Sequence, residues 1–182
     1  MTLSLSSLLC GRRWIESFVL VSGVFCLGSA ALNLGRYEVF EHRVIAASVP
    51  AARVTRLEIP RIGLLVAVIE GDTKENMALG AVHLTDTAAL GSESGNAAIA
   101  GHRDSAFRRL GEIRSGDQIV VHGEMDFVYQ VMRTRIANAD DTAALSEDGR
   151  ARLTLITCYP FRYVGSAPRR FLVEAERVGR RF

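Results

Sequence analysis

The sequence predicts an all-β domain of barrel or sandwich type, carried behind one N-terminal membrane segment. Three observations give this reading. Seven or so short apolar or alternating runs lie between Arg53 and Val178, separated by Gly-Asp, Gly-Asn and Pro breaks, and helical period is scarce. Residues 17–34 carry no charge. The 182 residues leave room for one domain of ordinary size beyond that segment, with no internal repeat or low-complexity tract.

The elements follow in chain order. Arg12, Arg13 and Trp14 precede the uncharged stretch, and at about 1.5 Å per residue its 18 residues span roughly 27 Å, enough for a thin hydrocarbon core. The basic excess before it predicts a cytoplasmic N-terminus over 1–16, a signal anchor over 17–35 and export of everything after it. Ser29-Ala30-Ala31 would suit a signal peptidase, but the length and the continuation through Asn33-Leu34 favour a retained anchor. Residues 36–52 read as a linker and 53–182 as the exported domain. There, Val54, Leu57 and Ile59 mark a strand that ends at Pro60. Leu64 to Ile69 is an apolar run closed by Gly71-Asp72, and Thr73 to Leu79 reads as a short helix. Further strands are expected over Ala97–Ala100, Gln118–His122, Phe127–Ile136, Arg152–Cys158 and Phe171–Val178. Short helices are expected over Phe107–Ile113 and over Asp140–Leu145, with Asp140 or Asp141 as its cap.

Composition removes several classes of function. A net charge of +2 is no footprint for nucleic acid, and 48% hydrophobic against 23% charged residues argues against wholesale disorder. Three cysteines without a C-x-x-C pair give neither a disulfide framework nor a common zinc pattern, so no metal and no other cofactor is expected. Asp140, Asp141, Glu147 and Asp148 read as surface acids rather than a calcium site. Basic charge comes from 21 Arg and the single Lys74, so an arginine at a given place is weak evidence of an arginine-specific role.

Three residues remain that could do chemistry. Cys10 and Cys26 lie before and within the anchor, leaving Cys158 as the one exported thiol, at a strand end before Tyr159-Pro160. A thiol is mostly protonated at neutral pH, so a nucleophilic cysteine needs a base or a positive neighbour. His102 also ends an apolar run, in Gly-His-Arg-Asp, where small residues let another backbone approach. Among the other histidines His42 lies in the linker, His122 beside a turn, and His83 is the competitor. Arg170, in Pro168-Arg169-Arg170-Phe171, puts a permanently charged donor at the start of the last strand. Order alone does not bring the three together, but strand ends converge at the rim of a barrel.

Leu153-Thr154-Leu155-Ile156-Thr157-Cys158 resembles the T-L-x-T-C signature of sortases, the cysteine transpeptidases of bacterial surfaces. Ala100-Gly101-His102-Arg103 after Gly95-Asn96 is similar to the sortase histidine motif, Arg170-Phe171-Leu172-Val173 to the segment bearing the family's arginine, and Leu57 to Leu64 to its first strands. The stretch from Cys158 to Pro168 looks most like class D sortases and their relatives in Gram-negative bacteria. The resemblance implies a closed barrel of about eight strands and a reaction in which Cys158 attacks a C-terminal L-P-x-T-G-like sorting signal to form a thioacyl-enzyme. It implies His102 as general acid and base, Arg170 as oxyanion or backbone donor, and Thr157 lining the substrate site. Partners would be surface proteins bearing a sorting signal and an amine acceptor, either cell-wall peptide or a pilin lysine, at the outer side of the bacterial cytoplasmic membrane. Two alternatives stay open in the residues themselves: a cysteine peptidase that releases acid, and an anchored binding module with an inert Cys158.

Overall fold

The computed structural model describes residues 22–24, 27–29, 55–146 and 148–181. Residues 1–48 and 49–182 form two separate units. In the first, residues 22–24 and 27–29 are helical, and no helix among the described residues is long and apolar enough to cross a membrane. The rest of the expected anchor over 17–35, the linker over 36–52, Cys10, Cys26 and His42 lie outside the described residues.

The second unit is a closed barrel. Its strands among the described residues are β1 (Thr55–Ile59), β2 (Leu64–Glu70), β3 (Ala81–His83), β4 (Gly95–Ala100), β5 (Gln118–His122), β6 (Asp126–Asn138), β7 (Ala151–Tyr159) and β8 (Arg169–Arg181). They close in the order β1-β2-β3-β4-β7-β8-β6-β5, with β5 paired back onto β1. Closure removes the edges that would leave unpaired backbone groups. Two pairs, β2 with β3 and β4 with β7, are parallel, and the others are antiparallel.

The expected strands are present, with three main differences, the first being that β8 runs from Arg169 to Arg181, beyond both ends of the expected Phe171–Val178. β3 is a three-residue strand that escapes any period, and it makes His83 a barrel residue. β6 runs two residues past Ile136, its register with β8 shifting at Val128/Tyr129 and Val131/Arg133. Bulges bend and twist a long strand so that it can follow a closed wall. Helix α1 (Lys74–Leu79) starts where Thr73 accepts a hydrogen bond from the Asn76 N–H at 3.1 Å. The helix expected over Phe107–Ile113 contracts to a 3-10 turn at Leu110–Glu112. That over Asp140–Leu145 becomes a 3-10 turn at Thr142–Leu145, capped by Asp141 through the Ala143 N–H.

Alternating residues fill the interior. Leu57, Ile59, Ile99, Val121, Tyr129, Leu153, Leu155 and Val173 are 0–1% exposed in one core, each burial stabilising the fold by roughly 1.5–3 kcal/mol. Phe107, Leu110 and Ile113, three residues apart, join that core from the 3-10 segment. Arg61 then ties the end of β1 to the start of β5. Its Nη2 donates to Asp117 Oδ2 at 2.7 Å, which also accepts the Arg114 N–H at 2.7 Å, and Arg61 Nη2 reaches the Glu112 carbonyl as well. The Arg61 hydrogen bond holds the Asp117 carboxyl below its usual range, against the opposing effect of desolvation.

A carboxyl with a depressed folded pKa adds stability above its unfolded value, near 3.9, and loses it as pH falls through the folded value. Asp117→Asn is therefore expected to lower Tm at pH 7 by roughly 2–6 °C, with the gap to the unsubstituted protein closing below about pH 4. Melting curves at pH 7, 5 and 3 check this.

Candidate active site

The site is built on β7, which lies between β4 and β8. On one side β7 pairs antiparallel with β8, setting Cys158 opposite Arg170, Thr157 opposite Phe171 and Tyr159 opposite Arg169. On the other it pairs in parallel with β4, the last partners being Ala100 and Ile156, and the Gly101 N–H continues the ladder to the Ile156 carbonyl at 3.1 Å. His102 and Cys158 each stand two residues past that last pair. The three candidate residues thus sit on three adjacent chains at the same end of the barrel.

Opposite residues of an antiparallel pair share a face, and successive residues alternate. Leu153 and Leu155 face the central core, and Thr157 alternates with them, 2% exposed. Ile156 instead packs with Leu172 and Ala137 in a second, smaller cluster. Cys158 and Arg170 belong to this second face. The thiol therefore stands on the outer side of the barrel wall near its rim, over an apolar floor, and not in the barrel mouth.

Cys158 is unpaired and half-buried. Arg170 is half-buried, its Nη1 donating to the carbonyls of Ala167 at 3.2 Å and Arg169 at 3.1 Å. Register separates it from Arg169, which is exposed and opposite Tyr159. His102 is exposed, and its backbone carbonyl accepts the Phe107 N–H at 2.8 Å. Phe107 is fully buried and roots the histidine loop in the core. A Cβ at Gly101 would stand 2.8 Å from the Phe107 ring, so glycine is what permits that root so close to His102.

The other described histidines have committed rings. His83 is buried, with Nδ1 2.8 Å from Glu70 Oε1 and Nε2 2.9 Å from the Ala88 carbonyl. His122 bridges Asp126 Oδ2 at 2.9 Å and Glu58 Oε2 at 2.8 Å. Only His102 among the described histidines has both ring nitrogens free for a reaction.

Thr157 is where placement and expectation part. Its hydroxyl donates to the Gly101 carbonyl at 2.7 Å inside the wall, facing away from the side that carries Cys158. It fastens the end of β4 to β7 beside the thiol, and a second buried bond does the same lower down, from Thr154 Oγ1 to Asn96 Oδ1 at 2.9 Å. No group of His, Cys, Asp and Glu among the described residues is arranged to hold a metal ion.

This arrangement on a closed eight-stranded barrel is where known proteins bear on the chain. The Sortase domain family profile matches residues 57–178. The chain belongs to the sortase family. It is 38% identical over 126 residues to Sortase D of Bacillus subtilis, a match covering 67% of this chain and 62% of that protein, so it spans less than two thirds of that relative's length. Among solved structures, the Clostridium perfringens Sortase D5 transpeptidase superposes with a TM-score of 0.63 at 23% identity, over 80% of this chain and 92% of that one. Sortase C-1 of Actinomyces oris gives 0.64 at 25% identity, over 80% and 82%. The family match spans β4 with the His102 loop after it, β7 with Cys158, and the start of β8 with Arg170.

Thr157→Val keeps the shape of the side chain and leaves the Gly101 carbonyl without its hydroxyl donor. A buried acceptor so orphaned costs roughly 1–3 kcal/mol, so Tm should fall by several degrees. If Thr157 acts through the wall as described, turnover should fall with KM for peptide unchanged, whereas a raised KM alone would identify it as a substrate contact.

Proposed function

We propose that this sortase is a membrane-anchored cysteine transpeptidase that cleaves a C-terminal L-P-x-T-G-like sorting signal and passes the acyl group to an amine. The observation that carries this reading is the alignment of Cys158 with Arg170 on one neighbouring strand and with the free-ringed His102 on the exit of the other.

The steps balance on these three residues. The Cys158 thiol passes its proton to His102 as its Sγ attacks the scissile carbonyl, and the tetrahedral oxyanion takes hydrogen bonds from the Arg170 guanidinium, which also serves the substrate backbone. The C–N bond breaks as His102 gives a proton to the leaving amine, leaving a thioester on Cys158. An incoming amine then attacks that thioester, His102 takes its proton, and the thiolate departs. A thioester is activated enough for an amine to compete with water when the amine is held in place. The half-buried thiol over the Ile156–Leu172–Ala137 floor supports such holding.

An anchor over 17–35 would keep the catalytic domain on the exported side of the bacterial cytoplasmic membrane, where surface proteins with sorting signals emerge. The acceptor would be a cell-wall peptide or a pilin lysine.

Full-length protein in detergent, given L-P-x-T-G-like peptides with and without hydroxylamine, tests this. Hydroxylamine should raise turnover and appear in the product as a hydroxamate. Cys158→Ala should abolish cleavage, His102→Ala should lower kcat/KM by roughly 10²–10⁴-fold, and Arg170→Ala by roughly 10²–10³-fold. Acid as the sole product at saturating hydroxylamine would identify a hydrolase, and cleavage surviving in Cys158→Ala would remove the thiol from the mechanism.

A further inference from the structure

Arg103, next to His102, is half-buried and makes contacts that the three-residue mechanism does not use. Its Nη2 donates to the Tyr163 carbonyl at 2.7 Å and reaches the Gly165 carbonyl at 3.3 Å, and its guanidinium carbon lies 5.8 Å from the centre of the Tyr163 ring. Tyr163 and Gly165 belong to the loop between β7 and β8, five residues after Cys158 and five before Arg170.

The two halves of that loop are held differently. Phe161 is rooted, edge-on to Phe171 at 5.2 Å and to Tyr159 at 6.2 Å, and packed so close to Gly111 that a Cβ there would stand 2.8 Å from its ring. Beyond it, residues 162–166 are exposed, with Val164 98% exposed, and Arg103 is the one side chain among the described residues that hydrogen-bonds this stretch. A planar guanidinium suits this task because it presents fixed donors to two carbonyls and stacks on an aromatic ring at once, which an ammonium does not.

One end of the Arg103 guanidinium makes no such contact. Its Nη1 is buried with no hydrogen-bond partner. An unmet buried donor opposes folding, so the net stability this fork adds is less than its two hydrogen bonds would give alone.

We infer that Arg103 is a positioning residue for the reaction, fastening the β7–β8 loop to the histidine loop so that His102, Cys158 and Arg170 hold one mutual geometry. The inference rests on the transpeptidase reading for its kinetic consequence, while the coupling of the two loops stands apart from any activity. Reacting groups displaced by about an ångström lose rate steeply, so the loss belongs in kcat rather than in binding.

The test compares full-length Arg103→Ala and Arg103→Lys with the unsubstituted protein, measuring kcat and KM with an L-P-x-T-G-like peptide and hydroxylamine, and amide hydrogen exchange along the chain. For Arg103→Ala we expect kcat to fall roughly 10- to 100-fold with KM little changed. Exchange should quicken in both 102–107 and 161–167, with the strands unaffected. Arg103→Lys should recover only part of the rate, since one ammonium cannot replace the fork. Unchanged kcat overturns the inference, as does faster exchange in one loop only, in neither, or throughout the barrel. If the unsubstituted protein turns over no peptide and forms no hydroxamate, the transpeptidase reading fails by itself, and the paired exchange of the two loops still decides whether Arg103 couples them.

Discussion

The parallel pairing of β4 with β7 is the constraint on which the site depends. These strands are 51 residues apart in the chain, counted from Ala100 to Ala151, and lie side by side with Gly95 against Ala151 and Ala100 against Ile156. Parallel neighbours cannot be joined by a tight turn, so the register between them is set by packing and by buried polar contacts, not by a hairpin. The Asn96–Thr154 and Gly101–Thr157 bonds serve that purpose, one on each face of β7. A slip of one residue would turn every β7 side chain to the opposite face, sending Cys158 inward and Thr157 outward. The buried polar contacts of the wall are therefore part of what aims the Cys158 side chain, although neither of these bonds is made by it.

The division of labour between the two faces of β7 follows from the same register. Leu153, Leu155 and Thr157 face the core, whereas Ile156 and Cys158 face outward over a small apolar floor, on the same side of β7 as the buried Thr154–Asn96 bond. Cys158 and Arg170 are thereby kept off the interior, where an unpaired polar group would be costly. The histidine, by contrast, is on a loop, and its position depends on the buried Phe107 behind it and the arginine fork beside it.

Much of the fold was legible because barrel strands alternate and end at glycine, proline and aspartate. The Phe127–Ile136 and Phe171–Val178 runs show this most clearly. β3 was not legible, since three residues between Gly80 and the following loop carry no period and Ala81–His83 is a strand only because β2 and β4 lie on either side of it. The expected helix at Phe107–Ile113 had a real signal that was misassigned: apolar residues at steps of three suit a 3-10 turn better than an α-helix. Cys158, His102 and Arg170 could be picked out by residue type, strand-end setting and family resemblance, but their adjacency could not, because it needs the strand order β4-β7-β8. The placement of the Thr157 side chain was hidden for a related reason: its neighbour in sequence is the thiol, yet alternation turns its hydroxyl to the other side of the wall, onto the Gly101 carbonyl. Arg103 stood in the histidine motif, but nothing in the sequence marked its bridging role, since its partners are backbone carbonyls 60 and 62 residues away.

The central claim is that Cys158 carries the acyl group between the two substrates. Its most direct measurement is to incubate the full-length protein with an L-P-x-T-G-like peptide and no added amine, quench in acid, and map the mass increment by peptide sequencing. The account predicts an increment equal to the N-terminal fragment of the cleaved peptide, on the segment containing Cys158 and released by hydroxylamine. Cleaved peptide with no increment at Cys158 under any quench time, or the fragment bound to another residue, would contradict it.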